Sequence, residues 1–185
     1  MSLEHAILGF LQYHPLSGYD LKKVFDASVR HFWPADQAQI YRSLARLAEQ
    51  GWASPEKIEQ EVRPDRKVYH ITDAGRAELR AWLALPLPPA DHRSAELVQV
   101  FFAGQLSDHE ILAIFERAAE QTRAMLEHYG RLPREPSAYA SVVGSPRELY
   151  CWLLTLDCGV AGAECQLAWL EGVIARIKNG EIPER

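Results

Sequence analysis

Hydrophobic residues recur at the three- and four-residue spacing of an α-helix in four segments of the N-terminal half of the chain. Ser17, Asp36 and Thr72 precede three of these segments, and each offers a side-chain oxygen to the free amides of a first helical turn. Pro15 ends the first helix, and Gly51 ends the third as a left-handed cap. The predicted helices span residues 3–13, 17–28, 34–50 and 73–83.

Between the third and fourth helices the pattern changes to that of β-strands. Residues 52–54 and 57–62 form one predicted strand, residues 66–71 form a second, and Pro64-Asp65 forms the turn between them. Three helices followed by a two-stranded ribbon is the arrangement of a winged helix-turn-helix.

The C-terminal half is predicted to contain helices only, at residues 91–104, 107–129 and 145–178. The apolar residues of the first of these helices are expected to face inward: Leu97, Val98, Phe101 and Phe102. The second helix carries apolar residues at alternating spacings of four and three: Ile111, Phe115, Ala118, Thr122, Met125 and Tyr129. The last helix, about 50 Å long, repeats this seam over four heptads: Leu149, Leu153, Leu156, Val160, Ala163, Leu167, Leu170, Ile174 and Ile177.

A second face of the last helix is also apolar, and its residues are small. This small face consists of Cys151, Leu154, Cys158, Ala161, Cys165, Ala168, Gly172 and Ala175. A helix with two apolar faces needs more partners than so small a domain supplies, and a second subunit is the economical source. We therefore predict a homodimer that is held by the seam, through Leu149, Leu153, Leu156, Val160, Leu167, Leu170 and Ile174. The alternative is an antiparallel hairpin of two helices within one chain.

Three prolines within residues 85–89 stop a helix and stiffen a connector, which places a domain boundary there. The expected fold is mostly α with a small β-hairpin wing. Residues 1–86 form a winged helix-turn-helix DNA-binding domain, and residues 87–185 form an antiparallel, coiled-coil-like helical dimerisation domain.

Charge is divided unequally between the two halves. Residues 1–86 hold 11 basic and 11 acidic side chains, and residues 87–185 hold 9 basic and 14 acidic ones, so the net charge of −5 lies in the second half. A neutral half with locally basic helices can meet phosphate, whereas an acidic half does not favour it. No apolar run approaches the roughly 18 residues of a membrane span. With no secretory signal and an odd number of cysteines, we expect a cytoplasmic protein that does not contact a membrane.

The outer face of the third helix carries residue types that suit a DNA groove. This predicted face consists of Gln39, Arg42, Ser43, Arg46 and Glu49. Glutamine pairs with adenine, and arginine pairs with guanine or phosphate. The alternative is an ordinary solvated helix face. Lys22 and Lys23 on the preceding helix, and Arg63, Arg66 and Lys67 near the hairpin tip, favour the DNA-binding interpretation because this motif meets the backbone there.

The sequence holds no catalytic constellation, phosphate loop or metal-ligand spacing, so we expect no enzyme, cofactor or metal site. Seven-residue spacing keeps Cys151, Cys158 and Cys165 about 10 Å apart along one helix, which favours buried small packing residues over a disulfide or zinc site. Trp152 and Trp169 are unusually bulky on this helix. They indicate either ordinary packing or a pocket that stacks on an aromatic effector.

Five separated motifs resemble those of the PadR family of transcriptional regulators, in register over residues 3–83. They are HPLSGYDL at 14–21, FWP at 32–34, QIYRSL at 39–44, the segment 47–52, and KVYHITDAG at 67–75. The second half resembles, at residues 156–159 and 168–171, the α-helical C-terminal domain of the longer members, the type seen in virulence-gene activators.

The resemblance implies a winged-helix dimer that binds double-stranded DNA at a pseudo-palindromic operator and is often a repressor released by a small aromatic effector. By position it implies that Gln39, Arg42, Ser43 and Arg46 read the groove, that Ser17, Tyr19 and Lys22 meet phosphate, and that Arg66 and Lys67 form the wing contact. Tyr41 matches the same motif, where it serves either DNA contact or packing. The competing hypothesis is a protein-interaction module that keeps the winged fold and does not bind DNA.

Overall fold

The computed structural model describes residues 2–30, 32–58, 66–87, 94–135 and 143–183. The chain divides into two compact units, Met1–Pro88 and Pro89–Arg185. The first unit contains α1 (Ser2–Leu11), β1 (Leu16–Ser17), α2 (Gly18–Ala27), α3 (Gln37–Glu49), β2 (Ala53–Ile58), β3 (Arg66–Ile71) and α4 (Asp73–Leu83). The second contains α5 (Ala95–Phe102), a 3₁₀ turn (Ala103–Gln105), α6 (Asp108–Arg131) and α7 (Pro146–Lys178).

Capping side chains define the helix starts of the first unit as the sequence predicts. Ser17 accepts a hydrogen bond from the Asp20 amide at 3.2 Å, and Asp36 accepts one from the Gln39 amide at 2.7 Å. Thr72 accepts one from the Gly75 amide at 3.0 Å. Gly51, with φ of 72°, adopts the left-handed conformation that glycine favours after α3.

The sheet has three antiparallel strands in the order β1-β3-β2, one more than predicted. The two residues of β1 pair with Tyr69 and Val68 of β3, so the sheet reaches the start of α2. Strand β2 begins at Ala53 and pairs with β3 along its whole length. Residues 59–65, including Arg63 and the predicted turn at Pro64-Asp65, lie outside the described residues.

The core of the first unit lies between its helices and the inner face of the sheet. Its fully buried side chains include Ile7, Leu8, Leu21, Phe25, Ile40, Leu44 and Leu47. The stripe that the sequence predicts on α3 therefore faces inward, as expected. Because this stripe is buried, the opposite face of α3 is directed toward solvent.

The second unit is built on an antiparallel pair of helices, α6 and α7. Along α7 the buried positions recur every seven residues: Leu149, Leu156, Ala163, Leu170 and Ile177. Salt bridges from Lys178 to Glu116, Arg123 to Glu171 and Arg134 to Asp157 cross the pair, at 2.7, 2.7 and 2.6 Å. Both helices turn their coiled-coil seams toward each other.

The single chain therefore does not support the prediction that the α7 seam holds the dimer. All seven predicted dimerisation residues are buried or half-buried within the single chain: Leu149, Leu153, Leu156, Val160, Leu167, Leu170 and Ile174. The physical reason is proximity. Helices α6 and α7 follow each other in one chain, so the seam of α7 can pack on the matching seam of α6 without a second subunit. The intrachain hairpin is the correct alternative for this face.

Three further expectations fail in the second unit. Met125 is exposed, and Leu126 packs against α7 in its place, because an α-helix drifts relative to a strict seven-residue repeat. Helix α5 begins at Ala95 and buries no residue, since the described chain packs on it mainly through Val100. The predicted inward residues of α5 are exposed by 56–81%: Leu97, Val98, Phe101 and Phe102. Cys151, Cys158 and Cys165 are exposed as well, on the face of α7 that α6 does not cover.

Candidate nucleic-acid interface

The outer face of α3 is the first component of the site. Gln39, Tyr41 and Arg42 are exposed there. The Gln39 side-chain oxygen accepts a hydrogen bond from the Asp36 amide at 2.9 Å, which completes a capping box and holds the first turn. Ser43, predicted on this face, is fully buried at the edge of the stripe that packs on α1. A hydroxyl in that position has no access to a DNA groove.

Arg46 lies beside this face and is joined to the beginning of α1. Its Nε donates to Oε1 of Glu4 at 2.8 Å, and its Nη2 donates to the same oxygen and to Oγ of Ser43. Burial opposes the charged form of Glu4, but hydrogen bonds from its own backbone amide and from Arg46 outweigh it and lower the pKa of the carboxyl. Arg46 is thus engaged inside the protein, whereas no described contact engages the guanidinium of Arg42.

Tyr41 connects α3 to the start of α2. Its ring lies so close to Gly18 that a Cβ added there would be 2.6 Å from the ring carbon Cε1. Tyr41 is nevertheless 45% exposed. It packs on α2 and borders the outer face of α3 at the same time, so the two roles that the motif allows are compatible.

The basic residues of α2 differ in how far they are engaged. Lys22 forms an ion pair with Asp26 one turn later. Lys23 lies over the exposed ring of Tyr19, with its Nζ 4.4 Å from the ring centre. The resemblance assigned Lys22, whereas the geometry presents Lys23 with Tyr19. The sequence contains the signal that distinguishes the two lysines, because Asp26 stands four residues after Lys22 and Ala27 stands four residues after Lys23.

Ser17, assigned to phosphate by the resemblance, is buried. Its hydroxyl donates to Oδ2 of Asp20 and accepts from the Asp20 amide. The α2 cap therefore uses this hydroxyl both as a hydrogen-bond donor and as an acceptor. Ser17 therefore orients the first turn of α2 and does not present a hydroxyl to a ligand.

The wing is tied to that same turn through the start of β3. Arg66, the first residue of β3, forms an ion pair with Asp20. Burial opposes the charged form of Asp20, but hydrogen bonds from Ser17 and Arg66 outweigh it and lower the pKa of the carboxyl. Lys67 is exposed, and its Nζ lies 5.4 Å from the centre of the Tyr69 ring. The first turn of α2 thus joins α3, through Gly18 and Tyr41, to β3.

The tryptophans predicted for an effector pocket do not form one within the chain. Trp152 and Trp169 are separated by 17 residues of one continuous helix, which is about 25 Å at 1.5 Å per residue. Trp169 packs edge-on against Phe115, with ring centres 5.6 Å apart, and Trp152 is half-buried. Among the described residues, no group of three or more His, Cys, Asp or Glu side chains is placed to hold a metal ion. None of the described helices is long and apolar enough to cross a membrane.

Two family models match the chain, one in each unit. The model of the transcriptional regulator PadR-like family matches residues 7–81, and the virulence activator alpha C-terminal model matches residues 92–178. The chain combines a domain of the PadR-like family of transcriptional regulators with a virulence activator alpha C-terminal domain. In this PadR-like chain the family domain covers α2, α3 and both strands of the wing, which are the elements that build the exposed face.

Two curated relatives support this assignment. A probable transcriptional regulator of Mycobacterium tuberculosis is 47% identical over 89 residues, which are 48% of this chain and 47% of that protein. The negative transcriptional regulator PadR of Bacillus subtilis is 28% identical over 176 residues, which are 95% of this chain and 97% of that protein. The chain thus spans about half of the first relative and nearly all of the second.

Solved structures share the fold of the PadR-like chain over almost its whole length. Bacillus subtilis PadR in complex with operator DNA matches with a TM-score of 0.79 and 28% identity, over 96% of this chain and 99% of that one. The same protein in complex with p-coumaric acid matches with a TM-score of 0.73 and 27% identity, over 96% and 99%. The virulence activator AphA of Vibrio cholerae matches with a TM-score of 0.69 and 26% identity, over 96% and 98%.

Proposed function

We propose that this chain is a dimeric, sequence-specific DNA-binding repressor of the bacterial cytoplasm that a small aromatic effector releases from its operator. The observation that carries the proposal is the outer face of α3, where exposed polar and basic side chains stand over a fully buried stripe. A helix held in this way, between a preceding helix and a wing, is the reading element of a winged helix-turn-helix.

Two residues of α3 are proposed to contact base edges. Arg42 is exposed, and its length and fork of N–H donors suit guanine. Gln39 suits adenine, and contacting a base requires it to exchange the hydrogen bond that it accepts from the Asp36 amide. Neither side chain belongs to the core, so each can change without loss of the fold.

The phosphate contacts are proposed to come from either side of α3. Tyr19 and Lys23 form one exposed pair at the start of α2, and Lys67 and Arg66 begin β3 in the wing. Lysine at such positions neutralises phosphate without reading sequence, which makes binding salt-dependent.

The second subunit is proposed to cover the small face of α7. Because α6 covers the seam, the small face is an apolar surface of α7 that the described residues leave exposed, and Leu154 there is 47% exposed. Small residues let two helix backbones approach closely, and a two-fold axis through such a face pairs it with itself. Two linked reading helices then match the two halves of a pseudo-palindromic operator.

The effector is proposed by likeness to Bacillus subtilis PadR, whose structure in complex with p-coumaric acid matches this chain over 96% of its length. A small aromatic molecule that binds the DNA-free form more tightly than the DNA-bound form shifts the population away from the operator. Its class is tested by adding small aromatic acids to the preformed complex of protein and DNA. Release by an aromatic acid, but not by an aliphatic acid of equal charge, is the expected result.

The DNA-binding proposal is tested by selection from a random DNA library, followed by titration of the selected duplex in increasing salt. We expect enrichment of a sequence with two related half-sites, and affinity that falls steeply with salt on both selected and unrelated DNA. An unenriched library together with salt-independent or absent binding contradicts the proposal.

A protein-interaction module without DNA binding is the second candidate, and one specific observation favours it. Three basic residues near the proposed interface, Lys22, Arg46 and Arg66, are paired with acids of the same unit. In an N-terminal half that carries no net charge, this pairing reduces the positive potential available to attract phosphate. The salt titration distinguishes the two candidates, because only the DNA-binding protein releases counterions from DNA.

A further inference from the structure

A buried carboxylate lies behind the reading helix. Glu4 of α1 is 8% exposed, and its Oε1 accepts hydrogen bonds from Arg46 Nε at 2.8 Å, from Arg46 Nη2, and from Ser43 Oγ at 3.4 Å. Arg46 Nη2 also donates to Ser43 Oγ at 3.0 Å. The cluster joins residues about forty positions apart in sequence, so it fixes α1 against α3.

We propose that Glu4 is a positioning residue that fixes Arg46 at the border of the reading face, so that Arg46 binds a DNA phosphate instead of reading a base. The inference rests on the proposed function, because it assigns a role within the same DNA complex.

The geometry of the guanidinium carries the argument. An arginine has five N–H donors in one plane: one on Nε and two on each terminal nitrogen. Glu4 and Ser43 engage the donors of Nε and Nη2, and the described contacts leave both donors of Nη1. The Arg46 side chain is still 53% exposed, so the Nη1 end is open to solvent.

Base reading requires donors that Arg46 has already used. Recognition of guanine by arginine is bidentate and takes two N–H groups directed at O6 and N7. Releasing Nη2 for that purpose breaks its hydrogen bonds to the buried Glu4 carboxylate and to the buried Ser43 hydroxyl, which is costly in a low-dielectric site. A phosphate needs one charged donor held in place, and the Nη1 end supplies it. Arg42, which has no described partner in the protein, is left as the arginine that reads bases.

The experiment measures binding of full-length variants to the selected operator and to an unrelated duplex over a range of salt concentrations. Arg46→Ala is expected to weaken binding to both duplexes by the same factor, about tenfold, and to lower the salt slope by about one. Glu4→Gln is expected to weaken both by a similar, smaller factor. In the double variant, Glu4→Gln is expected to add nothing to Arg46→Ala, since its effect acts through that side chain.

Arg46→Lys serves as the variant that keeps both the charge and the pairing with Glu4. Lysine has one side-chain nitrogen, which cannot pair with Glu4 and also contact a phosphate, so we expect the same uniform loss of affinity and the same lower salt slope as in Arg46→Ala. Thermal melting of each variant separates loss of binding from loss of folded protein, and Arg46→Lys tests the same claim if Glu4→Gln does not fold.

Five outcomes overturn the inference. A sequence-selective loss in Arg46→Ala makes Arg46 a base reader. Tighter, more salt-dependent binding by Glu4→Gln means that Glu4 withholds Arg46 from DNA. An undiminished effect of Glu4→Gln in the Arg46→Ala background means that Glu4 acts on the fold alone. A Glu4→Gln variant that binds like the unmodified chain removes the positioning role but leaves the proposed function, whereas a wild-type chain that does not bind DNA removes both.

Discussion

Individual side chains at the interface do two things at once, and this is where sequence reasoning is least complete. The sequence places Ser17, Ser43 and Arg46 at DNA by their positions in a motif. The structure commits the two serines to internal hydrogen bonds and Arg46 to Glu4. A periodic pattern indicates which face of a helix is buried. It does not predict which charged side chains from distant segments form ion pairs with that helix, as Glu4 does with Arg46.

Arg42 provides the most direct test of the reading face. Arg42→Ala should weaken binding to the selected operator by about 1–3 kcal/mol, because an exposed side chain that contacts a base edge is lost while the buried stripe of α3 is unchanged. The loss should be much smaller on unrelated DNA. Arg80→Ala, an equally exposed arginine on α4, is the matched control in titrations of both duplexes. Equal affinity of the Arg42→Ala and Arg80→Ala proteins for the operator would remove Arg42 from the interface.

Acid should loosen the turn that joins α2 to the wing. The pKa of Asp20 is lowered in the folded protein, so its contribution is present above the ordinary carboxyl pKa of about 4 and is lost as the pH falls through the lower, folded value. Asp20→Asn keeps an oxygen for the cap but loses the ion pair with Arg66. Its melting temperature should lie below that of the wild type at pH 6, by a difference worth about 1 kcal/mol or less, and the gap should close toward pH 3. A gap that widens in acid contradicts this account.

At the scale of elements, the sequence predicts what local chemistry determines. Capping side chains place the starts of α2, α3, α4, α6 and α7 because they act within four residues. Strand β1 is missed because two residues carry no periodicity, and only pairing with Val68 and Tyr69 makes them a strand. The partner of the α7 seam is likewise not predictable from the seven-residue repeat, because the repeat does not indicate whether the seam packs on α6 or on a second chain.

Gly75 fixes how closely α4 approaches β2. A Cβ at Gly75 would lie 2.1 Å from the carbonyl oxygen of Trp52, and backbone cannot yield as a flexible side chain does. Gly75→Ala should therefore destabilise the chain by about 2 kcal/mol or more. In Gly9→Ala, the matched control in α1, the added Cβ meets nothing within 4 Å, and alanine should stabilise the helix by about 0.5–1 kcal/mol. Thermal melting of both variants measures the contrast, and equal melting temperatures would contradict the close approach.

The two apolar faces of α7 should respond differently to truncation. Leu170 is 2% exposed and packs in the hairpin, so Leu170→Ala should cost about 2–5 kcal/mol at any protein concentration. Leu154 on the small face is 47% exposed, so Leu154→Ala should lower the melting temperature only where the dimer is populated. Melting at several protein concentrations makes the comparison. A concentration-independent effect of Leu154→Ala would place the small face outside the dimer.

At the scale of the whole molecule, the proposed function depends on a surface that one chain does not bury. The first unit contributes the reading face, and the second contributes the hairpin together with the exposed small face of α7. A single reading helix spans half of a palindromic site, so affinity for the full site depends on linking two of them. The sequence predicts a second subunit on the seam of α7, whereas the single chain already covers that seam with α6 and leaves the small face for the proposed partner.

The stoichiometry of the operator complex tests the central claim most directly. Sedimentation of the selected duplex with the protein, whose chain has a mass of 20.9 kDa, gives the number of chains bound. We expect two chains on one duplex with half-sites about 10 base pairs apart. Ala168→Arg, which places a bulky charge on the small face, should abolish that complex, whereas Glu164→Arg, at an exposed position of α7 outside the small face, should retain it. A single chain bound with the full affinity, or a complex unaffected by Ala168→Arg, would contradict the proposed dimer.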